Sequence, residues 1–168
     1  MIIARNPAIT PRRLPGPPGP PPQGPDQTPP PAPGRGEVFL RSSSQAARKL
    51  SQIGGFTNGA SLGYLGGALA GATLGASGSV CWVTALASAG VAGVAGYKVG
   101  GQLSDWAARA AVKMSPKHAL GAELAGRTTL NLALDLLTGS PVTAALDLSV
   151  TTGWGAYKAI RAPKAPQP

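Results

Sequence analysis

One cysteine and one histidine in 168 residues leave no material for a disulfide framework or a Cys/His zinc site. Charge is scarce too: Asp, Glu, Lys and Arg make up 12% of the chain, against about 25% in an ordinary soluble domain. Phe, Trp and Tyr together supply 5%, so a water-soluble core would have to be built from Ala, Val and Leu. Acids are the rarer charged group, six against fifteen Lys and Arg, and the formal net charge is +9. No basic patch interleaved with aromatics and no recognition motif accompanies that charge, which argues against nucleic acid as a partner. His118 stands beside Lys117 with no nucleophile pattern near it. The acids show no paired spacing, and the glycine runs contain no GxxxxGK[ST] loop. The chain reads as neither an enzyme nor the carrier of a metal or cofactor.

Glycine and proline are abundant instead, at 24 and 18 residues. Thirteen of the eighteen prolines fall in the first 33 residues. Residues 1–40 therefore read as a disordered, polyproline-rich leader, either a flexible tether or a ligand for an SH3- or WW-type domain. Its opening, Met1 to Pro7, has no apolar run of signal-peptide length before Arg5, so a Sec-independent route is expected for any export.

After Lys49 the composition changes. The 48 residues from Leu50 to Tyr97 carry no charge at all, and two helices of about 20 residues each would cross a hydrocarbon layer of roughly 30 Å. Gly75, Ala76, Ser77, Gly78 and Ser79 supply turn chemistry between them. This predicts a helical hairpin within residues 41–104, with spans over 57–74 and 80–99, Thr57 or Asn58 capping the first and Ser79 the second. Trp82 lies near the tip, and Tyr97, Lys98 and Trp106 near the open end. Those positions bracket about 22 to 36 Å of helix, as residues of a membrane interface should. Arg41, Arg48 and Lys49 precede the hairpin and Lys98, Arg109 and Lys113 follow it, so both ends are expected on one side of a bilayer. Cys81 reads as a small filler with no acid–base partner.

Within the hairpin, Gly55, Gly59, Gly63, Gly67, Gly71 and Gly75 fall at an unbroken spacing of four. Ser88, Ala92, Gly96, Gly100 and Ser104 repeat the spacing on the second span, with Ala89, Gly93 and Gly101 beside them. Glycine costs about 1 kcal/mol in a helix interior relative to Ala. In lipid, however, helices associate by close packing rather than by hydrophobic drive, and small residues four apart let backbones approach. On a straight helix each four-residue step turns the stripe by about 40°. One helix could then offer small surfaces to several neighbours, which suits a homo-oligomer; a plain structural anchor uses the same pattern.

Residues 105–161 read as amphipathic helices over 105–114, 119–137 and 141–160, followed by a tail over 162–168. Leu120, Leu124, Leu130, Leu134 and Leu137 are near helical spacing, although Leu130, Leu132, Leu134 and Leu136 also alternate as a strand would. Gly139, Ser140 and Pro141 are a helix stop, cap and start in succession. Asp105, Asp135 and Asp147 are either ion-attracting groups of an oligomer or the wet faces of their helices. Arg127, His118 and Lys117 read as surface. The expected fold is all-α.

A Pro-rich leader without a Sec signal, followed by an uncharged hairpin and the Gly55–Gly75 stripe, resembles the glycine-zipper pore-forming effectors of bacterial type VI secretion systems. The resemblance covers roughly residues 50–104. It implies an antibacterial toxin that inserts in the inner membrane of a neighbouring cell and dissipates the membrane potential. It further implies a secretion-tube protein or adaptor as carrier and a membrane immunity protein in the producer. Two other readings fit the same residues: a resident membrane hairpin of holin-like or scaffold type, and a soluble adaptor with a Pro-rich binding arm.

Overall fold

Four helices account for nearly all of the described chain. The computed structural model describes residues 32–75, 78–138 and 140–163. The leader over 1–31, the tail over 164–168, and Ala76, Ser77 and Gly139 of the two turns lie outside the described residues. Helix α1 spans Arg35–Thr73 and α2 spans Ser79–Met114. After a single 3₁₀ turn at Pro116–His118 come α3, Ala119–Leu137, and α4, Pro141–Arg161. Among the described residues there is no strand, so the alternation at Leu130–Leu136 belongs to a helix.

The boundaries differ from the sequence reading in physically instructive ways. Residues 35–40, assigned to the leader by composition, are already helical, with Glu37 in the first turn where the helix dipole favours an acid. Helix α1 runs straight through Thr57 and Asn58. Thr57 is no cap: its Oγ1 donates to the carbonyl of Gly54 at 3.0 Å, within the helix. Ser79 is itself helical and Gly78 precedes α2, so the predicted Ser79 cap is absent. Gly75 and Gly78 turn the chain with φ of 72° and 58°, a left-handed backbone that only glycine adopts cheaply. Helix α2 also continues unbroken past residue 104 until Ser115 and Pro116 end it. The start of α4 matches its signature: Pro141 is the first helical residue, and Ser140 Oγ accepts from the Thr143 amide at 3.5 Å.

Helices α1 and α2 lie antiparallel, since Gly71 meets Cys81 while Gly55 meets Gly96 and Gly100. Helix α3 packs beside both, with Gly126 against Ala107 and Ala111 of α2 and Asn131 hydrogen-bonded to α1 at Ala47. Helix α4 crosses α1 where Gly155 meets Phe39 and Ser43. Leu137 lies about 9 Å beyond Asn131, and Pro141 about 21 Å beyond Gly155. Both routes bring the α3–α4 turn level with Gly55. Helices α3 and α4 therefore flank the base of the hairpin that α1 and α2 form, and this register leaves the hairpin beyond Gly59 as a bare pair.

What is buried is the reverse of a soluble core. Among the described residues the buried apolar side chains are Ala47, Ala85, Ala108 and Ala144. Beside them lie buried Ser43, Ser44, Ser51, Gln52, Ser104, Arg127, Asn131 and Thr151. Leu62, Leu69 and Val91 are 71%, 67% and 74% exposed. Helix α4 follows the same rule, burying Ala144, Thr151 and Gly155 while Val142, Leu146 and Ile160 face out.

Candidate functional site

The glycine stripe of α1 is a single continuous contact with α2. A Cβ at Gly55 would sit on the carbonyl oxygen of Gly96, one at Gly59 on that of Ala92, and one at Gly63 on that of Ser88. At Gly67 it would come 2.7 Å from the Thr84 carbonyl oxygen, and at Gly71 2.8 Å from Cys81 Sγ. Helix α2 answers with Gly96 against the Gly55 carbonyl and Gly100 against that of Ser51. Gly93 receives the Phe56 ring, whose Cε2 would lie 2.9 Å from an added Cβ. Gly75 is not part of this seam; it belongs to the turn, with open space around it. Five glycines thus face one partner, and the expectation that the stripe would drift toward several neighbours is corrected. A four-residue repeat exceeds the 3.6-residue turn, so a partner helix that coils in the right-handed sense stays on it.

At the base a charged network ties three helices together. Arg48 of α1 grips Asp105 of α2 with both Nε and Nη2 at 2.9 Å. Arg127 of α3 donates to the same carboxylate at 2.9 Å, to Ser104 Oγ at 3.3 Å, and to Glu123 at 3.0 Å. Ser44 Oγ completes it by donating to Glu123 at 2.8 Å. The Arg48 guanidinium, hydrogen-bonded to Asp105, holds that carboxyl below its usual range against the opposing cost of burial, with Arg127 adding to the effect. Two readings are corrected here. Arg127 is no surface residue, being 8% exposed, and Asp105 is neutralised by two guanidinium groups rather than free to attract ions. Just above, Ser51 Oγ donates to Asn131 Oδ1, and Asn131 Nδ2 donates to the Ala47 carbonyl at 2.9 Å.

Asp135 and Asp147, twelve residues apart in sequence, come to one cavity of about 200 Å³ between the hairpin base and α3–α4. Asn58, Gly59, Gly96 and Asn131 share its lining. Both acids are half-buried. Burial first, and the charge of Asp135 second, push the Asp147 carboxyl above its ordinary value. Among the described residues no three His, Cys, Asp or Glu side chains converge as a metal site would require.

The residues assigned to a membrane interface spread along the outside. Trp82 and Trp106 are exposed, and the Trp82 ring leans on Tyr64 with centroids 6.0 Å apart. Tyr97 is at the edge of exposure, and Lys98 flanks it on α2. Helix α2 is the one among the described residues that is long and apolar enough to cross a membrane, with a mean hydropathy of 1.5 over its best window. The distal part of α1 falls short because its glycines dilute the leucines. Sequence reasoning missed Arg48, Glu123, Arg127 and Asn131 as tertiary ties. It missed as well an aromatic and basic strip on α4, where Trp154 stacks on Tyr157 at 5.8 Å beneath Lys158 and Arg161. The i, i+4 pair Glu123 and Arg127 was a visible signal for the first group. Compared with family models, curated proteins and solved structures, the chain matches none.

Proposed function

We propose that this chain is a membrane-inserting protein whose α1–α2 hairpin crosses a bilayer and, in assembled form, passes ions. That is the mode of action of the glycine-zipper effectors its sequence resembles. The observation that carries the reading is the inverted placement of side chains: glycine, alanine and polar groups inside, leucine, valine and tryptophan outside. In water each exposed leucine forgoes about 2 kcal/mol of burial free energy, a loss that vanishes in hydrocarbon. The uncharged stretch ends where the Arg48–Asp105–Arg127 network begins, so ionised groups would stay with the headgroups.

Assembly would use a second surface, because the stripe is spent within one hairpin. Gly66, Ala70, Ala87 and Val91 line an open apolar groove on the flank of α1–α2, and Gly66 has no atom within 4 Å of where its Cβ would stand. Another hairpin fits there by small-residue packing. Ions would follow a path lined by backbone, serine and threonine, with Asp135 and Asp147 near its mouth. Under this reading the protein leaves its producer by a Sec-independent route, held by a secretion-tube protein or adaptor and countered at home by a membrane immunity protein.

A resident membrane hairpin is the second reading, favoured by one observation: a stripe satisfied within the chain needs no other copy. Planar-bilayer conductance of the purified protein, paired with vesicle flotation, separates the two. Discrete conductance steps support the pore former. Flotation without conductance leaves the resident hairpin, and no flotation on any vesicle removes both.

A further inference from the structure

We infer that the α3–α4 turn is a second lipid-contacting surface, a shallow foot that meets the near face of the bilayer while α1–α2 crosses it. This rests on the membrane reading of the hairpin and adds a fixed insertion depth to it. The register of α3 and α4 along α1 sets the turn beside Gly55, and Gly55 is about 28 Å along α1 from Leu74 at the hairpin tip. A hydrocarbon layer of roughly 30 Å filled by the distal hairpin therefore ends at the level of the turn.

The side chains there suit that position. Leu136, Leu137 and Val142 are 57%, 83% and 68% exposed and converge on the turn from both helices. Between Thr128 and Tyr157 the chain carries no charge except Asp135 and Asp147, and both of those line the half-open cavity against the hairpin base. Lys158 and Arg161 lie in the last turn of α4 and Lys117 in the 3₁₀ turn that precedes α3, all away from the α3–α4 turn, while Arg127 sits midway along α3 within the charged network. The turn end of this pair carries no Lys or Arg, as the tip of α1–α2 carries none.

Depth-resolved quenching tests this on the full-length chain. With Cys81→Ser as background, a fluorophore is attached at Leu137→Cys or at Leu65→Cys, the latter about 15 Å further toward the tip than Gly55. Vesicles of phosphatidylethanolamine and phosphatidylglycerol carry a quencher either near the headgroup or near the bilayer centre. The expected result is loss of emission at residue 65 by the deep quencher and at residue 137 by the shallow one. Deep quenching at 65 with a water-like spectrum at 137 overturns the foot and leaves the hairpin reading standing. Deep quenching at both positions also overturns it, because the turn then penetrates fully. Water-like spectra at both positions overturn the foot and the hairpin reading together. A blue shift at 137 that grows with protein concentration without vesicles assigns the surface to a second copy and overturns the lipid foot. The double variant Leu137→Asp/Val142→Asp alters only exposed side chains and is expected to weaken vesicle binding roughly tenfold while residue 65 stays deep; unchanged binding overturns the proposal.

Discussion

The distal hairpin and the four-helix base solve the same problem, holding α1 against α2, with opposite chemistry. Between residues 59 and 95 the contact is largely backbone on backbone, with the Tyr64 and Trp82 rings leaning together and two weak side-chain bonds among the described residues: Thr84 Oγ1 to the Gly67 carbonyl at 3.4 Å and Cys81 Sγ to the Ala68 carbonyl at 3.6 Å. At the base, guanidinium groups, carboxylates and an asparagine cross-link α1, α2 and α3. A seam of hydrogen-only side chains needs no desolvation of charge and works in hydrocarbon. A charged network works only where water can solvate its partly exposed edge, as it does around Arg48 and Asp105, whose side chains are 40% and 29% exposed. Under the membrane reading proposed above, the transition between the two chemistries would mark where hydrocarbon gives way to water.

The comparison is broken most severely at Gly67. Leucine there would drive carbons into the Thr84 carbonyl, and we expect a loss of about 3 kcal/mol or more, read as a lowered unfolding midpoint in detergent together with lost conductance. Gly66→Leu, one residue away on the open flank, should not lower the midpoint and, by helix propensity, should raise it slightly, acting otherwise on assembly. Equal destabilisation by both variants would refute the seam.

Removing Arg127 attacks the other chemistry. Arg127→Met removes one of three hydrogen bonds to Asp105 and both guanidinium bonds to Glu123, though Arg48 still holds both Asp105 oxygens and Ser44 still donates to Glu123, so a cost of about 2 kcal/mol is expected. Denaturant titration checks it, and the deficit should be insensitive to hairpin variants such as Gly67→Leu, because distant sites add.

The acids of the two regions respond to pH in opposite directions. Asp105 has a lowered pKa in the folded chain, so its stabilisation is present above the unfolded value of 3.8 and lost as pH falls through the folded one. Asp147 has a raised pKa, so its ionised form destabilises the fold at neutral pH, and that cost disappears as pH falls through the folded value. Asp147→Asn should therefore stabilise the protein at pH 7, with the advantage shrinking toward pH 4. A pH-independent difference between the two proteins would contradict the buried-acid assignment. The smallest effect is expected at Glu37, whose exposed pair with Arg41 lies one helical turn apart. Glu37→Gln should shift stability by about 0.5 kcal/mol or less, vanishing in high salt.

Most of the architecture could be read in one dimension because local chemistry writes it. The bounds of α3 fell at Ala119 and Leu137 as anticipated, and Pro141 opened α4, since proline and serine act through their immediate neighbours. Caps were misplaced where packing outweighed propensity. Thr57 and Asn58 look like a start, but the seam on α2 carries α1 through them. Arg127 looked exposed because its partners, Asp105 and Ser104, are more than twenty residues away. The meeting of Asp135 with Asp147 required knowing that α3 and α4 fold back on one another beneath Asn58.

Spacing and composition were enough to define an all-α chain with an uncharged hairpin and a seam of glycines, because helix periodicity, turn chemistry and the cost of charge in hydrocarbon are properties of short stretches. Which face the seam would meet, which arginine would be buried, and where the second turn would stop along the hairpin followed from packing alone. Those are distances between residues far apart in the chain, and they exist only once the helices have chosen their neighbours.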